Sequence, residues 1–150
     1  MKEPVKEFGF NVLRLPFEST DWVDADYRMF HACFEILGQF VNDELGVADP
    51  KQIDDENEDT YRGYKIWSVG HDEQAAIDLW IWYRDELPVI KQAHSDELAM
   101  IYNPDQYLEN HPEVDRKDLP TTCKFGPDYL DDLCDQKFND LMAIRRSLWI

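Results

Sequence analysis

The chain has 150 residues, of which 43% are hydrophobic and 13% aromatic, enough to build one hydrophobic core without a staple and too much for a disordered chain. Its 32 acidic and 15 basic residues leave a net charge of −17, which repels phosphate backbones and speaks against direct binding of nucleic acid, because that requires Lys and Arg to displace counterions. The three cysteines, Cys33, Cys123 and Cys134, form no C-x-x-C pair, so neither a disulfide framework nor a zinc knuckle is expected and a reducing compartment fits.

The first residues, Met1 to Glu7, carry no apolar signal core, and no run approaches the length needed to span a bilayer; a cytoplasmic protein with no membrane partner is expected. Residues 8–17 alternate partly between apolar and polar, which suits a short strand or an extended arm. Ser19, Thr20 and Asp21 are helix N-cap candidates, followed by Asp24 and Asp26 where a helix start favours negative charge.

From about 24 to 45, Tyr27, Phe30, Phe34, Leu37, Val41 and Leu45 recur at steps of three and four and predict an amphipathic helix, closed by Gly46 at the C′ position. Asp49-Pro50 opens a polar loop holding the acidic run Asp54, Asp55, Glu56, Asn57, Glu58 and Asp59. Residues 61–69, rich in aromatic and β-branched side chains, suit a strand that pairs with residues 8–15.

Asp72 then stands as the cap of a helix to about 87, with Ala76, Leu79, Trp80, Tyr83 and Leu87 on one stripe. Pro88 can open a further helix to about Tyr102, because its missing N–H would be unpaired there anyway. The stretch 103–126, with Pro104, Pro112, Pro120 and Gly126, reads as a long connection with one short helical turn at 104–110. The last helix, about 127–149, has Asp128, Asp131 and Asp132 near its start and Arg145 and Arg146 near its end, complementing the helix dipole. The expected fold is mainly α: a single-domain antiparallel bundle over residues 1–150, with a short two-stranded β element at about 8–15 and 61–69.

Three segments resemble a family of proteins encoded by tailed bacteriophages. Arg28 to Glu44 is similar to that family's helix of the form R-x-x-x-A-x-F-x-x-L-x-x-F-V-x-x-E. Ile77 to Pro88 resembles a helix with paired aromatics before a proline, although this chain has Trp82-Tyr83 where the family more often has Trp-Trp. Phe138 to Trp149 resembles the family's Ile-Arg-x-x-Leu-Trp ending. The resemblance implies an origin in a phage genome and expression in the cytoplasm of an infected bacterium; it brings no activity and no catalytic residue.

Catalytic patterns are thin. Carboxylates one helical turn apart can hold Mg²⁺ against a nucleotide, and Asp132 with Asp135, Glu56 with Asp59 and Asp21 with Asp24 have that spacing, but two of the pairs fall in a loop or a cap. His71-Asp72 invites comparison with metal phosphohydrolases, with His31 as an upstream ligand, yet Asp72 is explained as a cap. A di-iron site needs Glu three residues before a His, and Arg28, Ser68, Lys91 and Leu108 stand there instead. An EF-hand starting at Asp55 fails, since Thr60 and Ile66 replace its Gly and Glu. No nucleophile elbow, phosphate loop or dinucleotide fingerprint occurs, and Cys123 is the one thiol off a helical stripe.

The positive signals are charge and aromatics, which together favour a binding protein without a cofactor. The candidate partner-binding residues are Asp54, Asp55, Glu56, Glu58, Asp59, Tyr61, Tyr64, Trp67 and Trp82, facing a basic surface of a host or phage protein, with a DNA-mimic inhibitor of a defence or nucleic-acid enzyme as the sharpest form. A homodimer, a nucleotide binder or metal-dependent nucleotide hydrolase, and a minor virion component are the alternatives.

Overall fold

The computed structural model describes residues 13, 15–18, 21–51, 59–67, 71–123 and 128–148. It is mainly α with one short antiparallel β pair. In chain order the elements are α1 (Ala25–Gln39), a π-helical turn (Phe40–Leu45), β1 (Thr60–Tyr61), β2 (Tyr64–Lys65) and α2 (His71–Ile81). A second π turn (Trp82–Glu86), α3 (Leu87–Tyr102), α4 (Pro104–Asn110), a 3₁₀ turn (Arg116–Asp118), α5 (Tyr129–Ile144) and a 3₁₀ turn (Arg145–Ser147) complete it. The chain groups into two compact units: residues 1–81 with 140–150, and residues 82–139.

The first unit is organised by α1. Its predicted stripe is buried from Phe34 onward: Phe34, Leu37 and Val41 are fully enclosed, whereas Tyr27 in the first turn is exposed and Phe30 half-buried, and His31 joins the core with its ring edge-on to Phe17 and Phe30 at 5.1 and 5.3 Å. α1 packs on α2, whose Ala76, Ile77, Leu79, Trp80 and Ile81 are buried, as are Leu141 and Ile144 of α5. The helix opens at Asp24 with no side-chain cap bond; Asp21 instead accepts from the backbone N–H of Glu18 at 2.9 Å, and Ser19 and Thr20 lie outside the described residues.

Gly46 ends the first π turn, as its position predicts. It stands at φ 84° and ψ 151°, a conformation closed to residues with a Cβ, and its N–H donates to the Val41 carbonyl at 3.1 Å. The chain therefore leaves the helix in extended form, and Val47 pairs with Tyr64. Ala48 donates to the Gly63 carbonyl and Lys65 to the Gly46 carbonyl, each at 2.9 Å.

The β element is thus made differently from the expectation. Its strands are Thr60–Tyr61 and Tyr64–Lys65, a hairpin closed by Arg62-Gly63, and its further neighbour is Val47. Of residues 8–15 only 13 and 15 are described, and neither is in a strand. Both turn residues have positive φ, 48° at Arg62 and 88° at Gly63, the geometry whose twist matches a two-residue hairpin loop. A left-handed non-glycine residue costs roughly 1–2 kcal/mol. Burial of Tyr64 and Ile66 on the same ribbon, at about 1.5–3 kcal/mol for a large side chain, outweighs that strain.

In the second unit, Pro88 stands where the sequence puts it, at the start of a helix that runs to Tyr102. It lies in the first turn of α3, which follows directly on the π turn. A proline ring clashes with the carbonyl four residues back, here that of Arg84, and the wide π turn sits at that point to accommodate it. α3 ends at Asn103, whose N–H bonds the Ala99 carbonyl, and Pro104 starts the short helix α4 expected from the sequence. The rest of the long connection is held locally: Tyr107 stacks on His111 at 4.1 Å, Arg116 pairs with Asp105, and Asp115 accepts from the Lys117 backbone at 3.1 Å.

Asp72, the expected cap of α2, lies within that helix's first turn and accepts a hydrogen bond from the Ser147 hydroxyl. It serves as a link to the C-terminal 3₁₀ turn, inside the helix that begins one residue earlier.

Candidate interaction surface

The two-stranded hairpin and the Gly46–Ala48 segment bridged to it at Val47 form a small ribbon, and around it the structure places several of the residues singled out by sequence. Tyr61, half-buried, donates from its hydroxyl to both carboxylate oxygens of Asp78, at 2.9 and 3.1 Å. Arg62 donates from Nη1 to the same carboxylate at 2.7 Å. Asp78 on α2 therefore fastens the turn, though the exposed Arg62–Asp78 ion pair alone is worth only about 0–1 kcal/mol.

Burial, together with the Asp78 hydrogen bond and charge, pushes the Tyr61 hydroxyl above its usual value of 10.0. A raised pKa means that the folded chain holds this proton more tightly than the unfolded one. The stability it confers is full below pH 10 and is lost as pH rises through the folded value. We expect the urea midpoint of the native chain to fall more steeply above about pH 10 than that of Tyr61→Phe, which cannot ionise. Parallel alkaline curves for the two proteins would show that Tyr61 carries no such coupling.

Trp67 has the most distinctive environment. Its backbone N–H donates to Oε2 of Glu73 at 2.8 Å, and its indole Nε1 donates to the Glu44 carbonyl at 3.1 Å. Both donors are satisfied, yet 74% of the residue is exposed. The residue is held at two points, its backbone on the Glu73 carboxylate and its indole on the Glu44 carbonyl, and most of it is open to solvent.

The other candidates separate into three groups. Asp59 is exposed, and its carbonyl accepts from the Ile66 N–H at 3.0 Å, so the acidic run enters the ribbon at a fixed point. Asp54, Asp55, Glu56 and Glu58 lie outside the described residues. Tyr64 and Trp82 are 6% and 4% exposed, so they are packing residues and present little to a partner. Tyr64 is central to the ribbon, and the ammonium of Lys137 lies over the Trp82 ring at 5.5 Å.

Among the described residues no three His, Cys, Asp or Glu side chains come together as a metal-holding group. His31 is enclosed by aromatic rings, and Asp132 and Asp135 are both exposed on α5. Burial pushes the Cys33 thiol up, and it does the same to Cys134, where Lys91 opposes the rise and Asp131 and Asp135 add to it. Raised thiols make poor nucleophiles at neutral pH.

Sequence reading missed Glu44, Val47, Glu73 and Asp78 as the setting of Tyr61 and Trp67. Gly46 followed by an apolar residue could have signalled an extended return after the helix, but pairing between 47 and 64 crosses a long loop and leaves no local pattern. No protein-family profile matches the sequence, and no curated protein or solved structure gives a significant match.

Proposed function

We propose that the chain is an accessory protein of a tailed bacteriophage that works in the infected cell's cytoplasm by binding a basic surface of a host or phage protein. In its sharpest form it is a DNA mimic, whose carboxylates take the place of phosphates on a defence or nucleic-acid-processing protein. The observation that carries the binding reading is Trp67, anchored by two hydrogen bonds yet exposed among acidic residues. Tryptophan in a fixed pose is the residue type most enriched at binding hot spots, because it adds large contact area at small entropic cost. The net charge of −17 supplies long-range attraction to a basic partner and repulsion of nucleic acid itself. The phage origin rests on the resemblance of the three segments described above.

The test is a pull-down from bacterial lysate with the full chain at low and moderate salt. A specific partner should be recovered, less of it at higher salt as the charges are screened. Trp67→Ser should weaken the purified complex about 30-fold or more, the loss typical of a hot-spot residue. Recovery of no specific partner at any salt would overturn the reading, and a partner bound equally by Trp67→Ser would remove Trp67 from it.

A further inference from the structure

We infer that the solvent side of α1 is a docking surface for a basic amphipathic helix. The inference rests on the reading that the chain binds a basic protein, and it names a surface and a partner shape that Trp67 does not supply.

α1 is apolar on two opposite sides. The core side is His31, Phe34, Leu37, Gly38 and Val41. At 3.6 residues per turn, Ala25, Met29, Ala32 and Ile36 line up on the opposite side, at steps of four, three and four. Met29 is 61% and Ile36 49% exposed, and Ala25 is exposed as well. An ordinary surface helix carries polar residues on this side. Here the polar groups are displaced to the margins, at Asp26, Arg28, Glu35 and Gln39. The 4-3-4 spacing is that of a coiled-coil seam, and Ala25, one turn before Met29, and Ala32, between Met29 and Ile36, leave gaps into which a facing helix could insert large apolar side chains.

Charge selects the occupant. Between residues 21 and 45 there are six acids, Asp21, Asp24, Asp26, Glu35, Asp43 and Glu44, and Arg28 is the one Lys or Arg. A second copy of this segment would bring the same six acids against one Arg, and like charges repel. A helix with Leu or Met on one side and Lys or Arg beside them meets the apolar row and the surplus of acid in residues 21–45 together.

The test uses the full chain and a labelled peptide of about 21 residues, three heptads, with Leu at the seam positions and Lys elsewhere. Fluorescence anisotropy should show binding, and Met29→Ser/Ile36→Ser should weaken it by about tenfold or more without any change in charge. Val89→Ser, which removes an exposed apolar residue from α3, should bind as the native chain does. A peptide with the leucines replaced by serine should bind as weakly to the native chain as to the double variant. Circular dichroism checks that the double variant is folded, and Met29→Ser alone stands in if it is not.

Equal binding by native and serine variants would overturn the inference and reduce the contact to general charge attraction. So would a native dimer that Met29→Ser/Ile36→Ser turns into monomer, since the occupant would then be a second copy. A lysate partner lost with Trp67→Ser but retained by the α1 variant would leave the proposed function standing and remove α1 from it. Lack of any lysate partner would count against the function while the peptide measurement still decided the surface.

Discussion

Phe34→Ala should lower the unfolding free energy by about 3–5 kcal/mol, the range for removing a fully buried aromatic ring and leaving a cavity. Phe34 is 0% exposed in the middle of α1, and its ring centroid lies 4.8 Å from that of Phe30. Its neighbours along the stripe, Leu37 and Val41, are equally enclosed and stiffly packed, so little collapse into the void is available. Asp43→Ala, at an exposed site on the following π turn, should stay within about ±0.5 kcal/mol. Urea midpoints that moved equally for the two variants would show that the core side of α1 has been misassigned, and its solvent side with it.

Gly38→Ala should also destabilise, against the direction expected from helix propensity. In an exposed helix interior, alanine in place of glycine gains about 1 kcal/mol. At Gly38 a Cβ would lie 2.5 Å from both Cη2 and Cζ3 of Trp80 and 2.9 Å from Cε3. Those atoms belong to a rigid ring that is itself only 8% exposed, so the ring or the helix must move, and overpacking of this kind costs typically about 1–3 kcal/mol. The two effects oppose each other, and the clash is the larger. A double-mutant cycle separates them: in a Trp80→Leu background the space opens, and Gly38→Ala should become neutral or stabilising. A Gly38→Ala variant more stable than the native chain would show that α1 and α2 are not this close.

The helices were legible because each has a repeating apolar side: the bounds expected for α1 taken together with its π turn, for α3 and for α4 lie close to those observed, and Gly46 marked its helix end by chemistry alone. Local signals failed where the answer depended on distant chain. Residues 61–69 read as a strand, but the sequence does not say that Tyr64 pairs with Val47 across the acidic loop, or that Arg62-Gly63 closes a hairpin despite the strain at Arg62. Asp72 has the chemistry of a cap, and only its bond to Ser147, 75 positions away, shows its use. The same limit divides the candidate surface. Tyr64, Trp67 and Trp82 are alike as aromatic residues in an acidic chain, and their exposures of 6%, 74% and 4% are set by tertiary packing that no periodicity records. The second apolar side of α1 was present in the spacing of Met29 and Ile36, but it became distinct from the core stripe only once burial showed which side was covered.

The ribbon has a bearing on how the chain can change. The acidic run lies between two fixed points, the Ala48–Gly63 and Asp59–Ile66 backbone bonds, with ten residues from 49 to 58 between them. Because both ends are clamped by the ribbon itself, the free energy of closing the loop depends only on the logarithm of its length, and doubling it costs about 0.6 kcal/mol. That is small beside the burial of Tyr64 and Ile66, so the number of carboxylates carried there can drift from one descendant to the next with the fold left intact. The amount of negative charge carried between residues 49 and 58 is in this sense an adjustable property of the protein, set by insertion and deletion and decoupled from the packing that holds the core side of α1 in place.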